Sequence, residues 1–125
     1  MSAHAMLAAQ DSRRQEPRYV FRRRGLMTTD DATLQIRTID VSEQSMAVMS
    51  SAPIKAGKAC SIVLDAVVGA RIVQMQFSCK AIYCILAGTE GFRTSLHIDG
   101  NIEAHKQQLQ KIIATCSSVS LAASN

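Results

Sequence analysis

The sequence predicts a mainly β domain, six short antiparallel strands followed by one C-terminal α-helix, and three observations predict it. Apolar and polar residues alternate in short runs between positions 19 and 98, clusters of turn-forming residues separate those runs, and after Asp99-Gly100-Asn101 the apolar spacing lengthens from two residues to three or four. A chain of 125 residues is enough for one such domain with one core. Hydrophobic residues make up 47% and charged residues 19%, a globular rather than a disordered composition. Aromatic residues reach only 4% and Trp is absent, so Ile, Val, Leu, Met and Ala must supply the core.

Residues 1–12 are small and polar and read as a flexible N-terminal segment. The domain proper is expected over 13–116. Its first strand spans 20–27 and stops at Thr28-Thr29-Asp30-Asp31, a turn cluster. Residues 33–39 alternate, with Leu34 and Ile36 inward and Gln35 and Arg37 outward, and 40–45 form a polar break. A short strand follows at 46–49, ended by Ser50, Ser51 and Pro53. The next, at 58–64, puts Cys60, Ile62 and Leu64 on one face, and 65–69 turn the chain. Residues 71–86 then carry Val73, Met75, Phe77, Cys79, Ala81, Tyr83 and Ile85 at period two. Such a run far exceeds the usual strand of about 5–6 residues, so a bend or bulge is expected inside it. Residues 88–91 turn again and 92–98 form the last strand.

The helix is expected over 102–116, about four turns at 3.6 residues each. Ile102, His105, Leu109, Ile112, Ile113 and Cys116 form its apolar stripe, with Glu103, Lys106, Gln107, Gln110 and Lys111 opposite. Asp99 or Asn101 can cap its start. His105 on that stripe reads as a satisfied boundary residue rather than a ligand. Residues 117–125 read as a flexible tail.

The net charge of +4 is concentrated at one end. The first 24 residues hold six arginines against Asp11 and Glu16, and the remainder holds eight cations and eight anions. An all-arginine cluster points to an anionic partner, because the planar guanidinium fork matches phosphates and guanine edges better than an ammonium does. Cys60, Cys79, Cys84 and Cys116 form no CxxC pair and no secretory framework, so they read as reduced thiols. No signal peptide is evident and no apolar run approaches the ~20 residues of a membrane span, so a cytoplasmic location without a span is expected. The three histidines have no metal-site spacing. No nucleophile, base and orienting group can be assembled, nor a phosphate-binding glycine loop before a helix, so the chain is expected not to be an enzyme.

Two short elements carry the chemistry. Arg14-Gln15-Glu16-Pro17-Arg18 is an RxxxR directly before a strand, with Arg13 in front of it. Asp40-Val41-Ser42-Glu43-Gln44-Ser45 lies in the polar break, with 21 residues between Arg18 and Asp40. Arg18 and Arg22 also satisfy RxxxR, and the strand-like pattern from Tyr19 onward favours the earlier pair. In this order, with six strands and a terminal helix, the sequence resembles the PilZ domain, a bacterial family with RxxxR before its first strand and (D/N)xSxxG after it. The resemblance covers roughly 13–116. It implies a PilZ-like β-barrel that binds the second messenger cyclic di-GMP through Arg14, Arg18, Asp40 and Ser42. It also implies that Arg13, an extra arginine before the motif, lets two intercalated cyclic di-GMP molecules be held. The departure is Ser45, where the family has glycine, and a positive φ there would strain a serine.

A module with no output domain in the chain is expected to signal through an unidentified effector protein, its arginine arm ordering when ligand binds. The alternative is a degenerate PilZ-like adaptor in pilus, flagellar or motility regulation that binds no nucleotide. A nucleic-acid-binding barrel is disfavoured, because the few aromatics are mostly core-patterned rather than set out as a stacking platform. A membrane-surface role is weaker still, the helix carrying only two lysines.

Overall fold

The computed structural model describes residues 16–124, with side chains described as far as Cys116. The expected flexible segment 1–12 lies outside the described residues, as do Arg13 and Arg14. Among the described residues there are seven strands: β1 (Tyr19–Val20), β2 (Arg24–Thr28), β3 (Thr33–Val41), β4 (Ser45–Ser50), β5 (Ala59–Val68), β6 (Arg71–Leu86) and β7 (Phe92–Ile98). Six of them close a barrel. The order β3-β2-β5-β6-β7-β4 returns to β3 through the β3–β4 ladder, and every pairing is antiparallel. The seventh, β1, is a two-residue strap that pairs Tyr19 with Val41 and Val20 with Asp40 at the end of β3.

A six-stranded barrel is too narrow for a lumen, so side chains fill it. Met27, Val41, Met46, Val48, Ile62, Phe77 and Leu96 are wholly buried there. Helix α1 (Glu103–Ser124) packs Leu109, Ile112 and Cys116 against β1, β5 and β6. It runs past the end at 116 that the apolar stripe indicated. His105 belongs to this packing. Its Nε2 accepts the Ser78 N–H at 2.8 Å and its ring lies 5.4 Å from that of Phe77, a packing role, but its buried Nδ1 has no partner among the described residues, so the ring is only half satisfied.

The expected strand 20–27 is broken at Phe21–Arg23, and the cause lies on another strand. The Thr38 hydroxyl donates to the Phe21 carbonyl at 2.6 Å and accepts the Arg23 N–H at 2.7 Å. The Thr38 N–H bonds the Arg23 carbonyl and the Phe21 N–H bonds the Ile39 carbonyl. Phe21 is thereby turned into the core while Arg22 stays exposed. Strand β5 also runs beyond the expected end at 64. Asp65 is an outward residue within the alternation rather than the start of a turn, and the chain reverses at Gly69, where φ is +63°.

Two β-bulges set the outer wall. On β3 the register shifts between Thr38 and Asp40, so Thr38 opposes Val48 and Asp40 opposes Ala47, with Ile39 as the extra residue. Uninterrupted alternation would carry Asp40 inward after Ile36 and Thr38, and the bulge turns it out. On β6 the shift falls between Ala81 and Tyr83, within the run where a bulge is expected. Beyond it Tyr83 and Ile85 stand 44% and 52% exposed, so the inward period-two face ends at Ala81. Gly91, at φ +112°, enters β7 so close to the Ser50 carbonyl that a Cβ would collide with it.

Lys58 ties the β2–β3 turn to the start of β5 through Asp30 and Asp31, at 2.6 and 2.7 Å. The hydrogen bonds to these two carboxylates push its ammonium up to about 12, and Lys58 in turn lowers Asp30.

The two buried threonines are expected to respond oppositely to the same substitution. Thr38→Val strands the Phe21 carbonyl and the Arg23 N–H and should destabilise the domain by about 1–3 kcal/mol. Thr94 is fully buried with no partner for its hydroxyl, so Thr94→Val should stabilise by about 1 kcal/mol. Urea denaturation of both variants checks this, and a shift of the same sign in each would contradict it.

Candidate functional site

The outward turn of Asp40 brings the two sequence motifs together. Arg18, just ahead of β1, donates from Nε and Nη2 to Asp40 Oδ1 at 3.0 and 2.6 Å. Its Nη1 lies 3.4 Å from Ser45 Oγ. Strap β1 fixes this approach, because Val20 pairs directly with Asp40 and leaves Arg18 two residues away on the same side. Asp40 is 18% exposed at its side chain and Arg18 32%, so the pair is partly shielded from water.

Ser42 is wholly buried and organises the turn between β3 and β4. Its Oγ accepts the Ser45 N–H at 3.1 Å and lies 2.7 Å from Ser45 Oγ, and its own N–H bonds the Ser45 carbonyl. Ser42 therefore shapes the loop rather than presenting a hydroxyl to solvent. Ser45 opens β4 opposite His97 with ordinary extended backbone, since no described non-glycine residue has a positive φ. The serine at position 45, where the sequence resemblance calls for glycine, is thus unstrained. Its hydroxyl joins the Ser42 turn to Arg18.

A residue absent from the sequence-derived set completes the node. Arg93 on β7 donates from Nη2 to Asp40 Oδ2 at 3.2 Å, so a different arginine serves each carboxylate oxygen. An arginine at an outward position of a strand looks like any solvated charge in a sequence, and only the closure of β4 onto β7 brings it to Asp40. Arg22, the other candidate second arginine of RxxxR, pairs with none of these residues. Instead it lines a cavity of about 470 Å³ beside the node, with Arg23, Arg24, Arg37 and Arg93.

Among the described residues no cluster of His, Cys, Asp or Glu can hold a metal ion, and no helix is long and apolar enough to cross a membrane. All four cysteines are free thiols. Cys60 and Cys79 face each other across β5 and β6 with Sγ atoms 3.8 Å apart, and that contact together with burial pushes the Cys79 thiol up. The chemistry the node offers is recognition. It presents a carboxylate that accepts paired N–H donors and arginines that bind anionic oxygens.

No protein-family model matches the sequence, and no curated protein matches it. Solved structures do match. The inhibitor of motility MotI/DgrA of Bacillus subtilis superposes with a TM-score of 0.70 at 12% identity, over 86% of this chain and 51% of that one, so this chain spans about half its length. The PilZ domain of YcgR from Escherichia coli, solved with c-di-GMP, superposes with a TM-score of 0.67 at 18% identity, over 90% of this chain and 97% of that domain. At these identities the likeness establishes architecture, and the architecture of this chain is the PilZ fold.

Proposed function

We propose that this chain is a non-enzymatic binding module for cyclic di-GMP, and the observation that carries the reading is the meeting of Arg18 with Asp40 on the outer wall. The two residues belong to separate motifs, yet they converge at one node on a fold shared with a PilZ domain solved with c-di-GMP. A guanine offers N1–H and N2–H₂ as a donor pair, which suits the Asp40 carboxylate. The two phosphodiesters suit arginine forks, so Arg14 and Arg18 take phosphate oxygens when ligand arrives. Arg18 then leaves Asp40 for the phosphate, while Arg93 keeps its bond to the other carboxylate oxygen. Arg13 supplies a further cation and stacking plane for a second, intercalated molecule. The arginine arm orders around the ligand and offers a new surface to an effector protein in the cytoplasm.

A second reading, an adaptor that binds no nucleotide, is favoured by one observation. Both oxygens of Asp40 already accept from arginines, and the Ser45 hydroxyl reinforces Arg18 in that position. In that case the Arg18–Asp40–Arg93 node is a structural clasp that holds strap β1 to the barrel for a protein partner.

Titration calorimetry with cyclic di-GMP separates the two. Each charge-assisted hydrogen bond contributes roughly 1.5–3 kcal/mol, so Arg18→Ala and Asp40→Ala should each weaken binding at least about tenfold. Lys106→Ala, on the exposed side of α1, should leave it unchanged. Equal losses in all three would indicate non-specific attraction, and a folded wild type that binds nothing would establish the adaptor reading.

Ser45→Gly provides an independent check. Since Ser45 has no positive φ to relieve, the substitution should alter affinity by no more than about threefold. A gain of tenfold or more would mean that the serine side chain blocks the ligand.

A further inference from the structure

Next to the Asp40 node the barrel wall carries a row of arginines that neither motif accounts for. Register places Arg24 on β2 opposite Arg37 on β3, Arg37 opposite Met49 on β4, and Met49 opposite Arg93 on β7. Direct antiparallel partners share a face, and adjacent strands lie about 4.8 Å apart, so Arg24 and Arg37 leave the wall side by side. Like charges directly opposite one another destabilise a sheet. Among the described residues neither Arg24 nor Arg37 forms an ion pair, although Glu90 lies nearby. Arg23, by contrast, is tied to the Asp65 carbonyl at 2.7 Å, and Arg93 is engaged with Asp40.

The shape of the wall matches the charge. The Arg24–Arg37–Met49 row lies between two adjoining depressions of about 700 and 470 Å³ and lines both. Met49, only 9% exposed although on the outer wall, forms an apolar floor flanked in register by Arg37 and Arg93. Arg22 closes the smaller depression, which holds five arginines against the single carboxylate of Glu90. An uncompensated cationic pair over an apolar floor suits an anion with several oxygens and an attached ring, since guanidinium forks bind phosphate oxygens while their planes and the thioether cover a flat group.

We propose that Arg24 and Arg37, with Arg22 at the rim, form a second anion site on the barrel wall that takes a phosphate ester and is separate from the Arg18–Asp40 node. The unfavourable Arg24–Arg37 juxtaposition is retained because an arriving phosphate relieves it. Such a ligand stabilises the folded chain by mass action, whatever occurs at Asp40.

The test is thermal unfolding of the full chain at fixed ionic strength, with sodium pyrophosphate and guanosine monophosphate as probes. Wild type should gain at least about 3 °C at saturating pyrophosphate. The double variant Arg24→Gln/Arg37→Gln should unfold at a higher temperature than wild type without ligand and should not respond to the probe. Asp40→Ala should respond as wild type does, which keeps this outcome independent of cyclic di-GMP binding at the node. A larger shift with guanosine monophosphate identifies a nucleotide as the ester, and an equal shift identifies the phosphate group alone as what is read. An unaltered response in the double variant would overturn the proposal. So would an equal shift from a hexaglutamate peptide at the same ionic strength, which would make the row a dock for acidic protein segments.

Discussion

The extra residue at Ile39 decides which way Asp40 faces, and most of what the barrel wall can do depends on it. Strand alternation runs inward through Ile36 and Thr38, and without a bulge the next inward position is Asp40. A carboxylate there would enter the apolar core, a burial that proteins avoid because an unpaired charge loses its hydration. Looping out one residue restores Val41 to the core and gives Asp40 to the arginines. The same irregularity exposes backbone that a regular ladder would consume. The Ile39 carbonyl takes the Phe21 N–H and the Thr38 hydroxyl takes over Arg23, so the bulge also steers the arriving chain. One local shift in register therefore orients the carboxylate and fixes the route of the segment that brings Arg18 to it.

A second shift, at Ile82 on β6, works on the same wall. It turns Tyr83 and Ile85 outward in register with Ser95 and Arg93. Tyr83, Ser95, Ala47 and Asp40 then form one rung across four strands, and Ile85, Arg93, Met49, Arg37 and Arg24 form the next across five. Bulges are common beside binding sites because they re-aim side chains without altering the fold. Here two of them convert the wall over β6, β7, β4 and β3 into the chemically differentiated face, while β5 keeps its regular inward set of Cys60, Ile62, Leu64 and Ala66.

What could be read from the sequence follows from which interactions are local. Strands β6 and β7 begin and end as the alternation and the glycine turns indicate, because Gly69, Gly88 and Gly91 all adopt positive φ there. The helix start follows from the change in period, its end does not, since nothing near Cys116 forbids further helix. The break between β1 and β2 was hidden because a threonine on β3 makes it, fifteen residues away from Arg23. Likewise Arg18 and Asp40 stand out as motif residues, whereas Arg93 reaches Asp40 only through strand closure across 53 positions. Motif order is a linear signal and register is not. The anchoring pair was therefore legible, while the second arginine and the Arg24–Arg37 juxtaposition required the sheet.

If the node binds nucleotide as proposed, the clasp at Asp40 makes ligand binding and arm position two aspects of one equilibrium. Arg18 and Arg93 already satisfy the carboxylate, so a guanine that takes Asp40 must displace Arg18, and the net gain is the difference between two charge-assisted arrangements rather than the whole of one. By linkage, what it costs the ligand to displace Arg18 is what a fastened arm subtracts from ligand affinity. On the proposed reading, a partner that fastens Arg18 to Asp40 weakens nucleotide binding, and bound nucleotide weakens that fastening by the same factor. Arg93 holds the other oxygen from β7, independently of the arm's own contact with Oδ1. Affinity in such a site is set by competition within the protein, the hold of Arg18 on Asp40 set against that of the ligand.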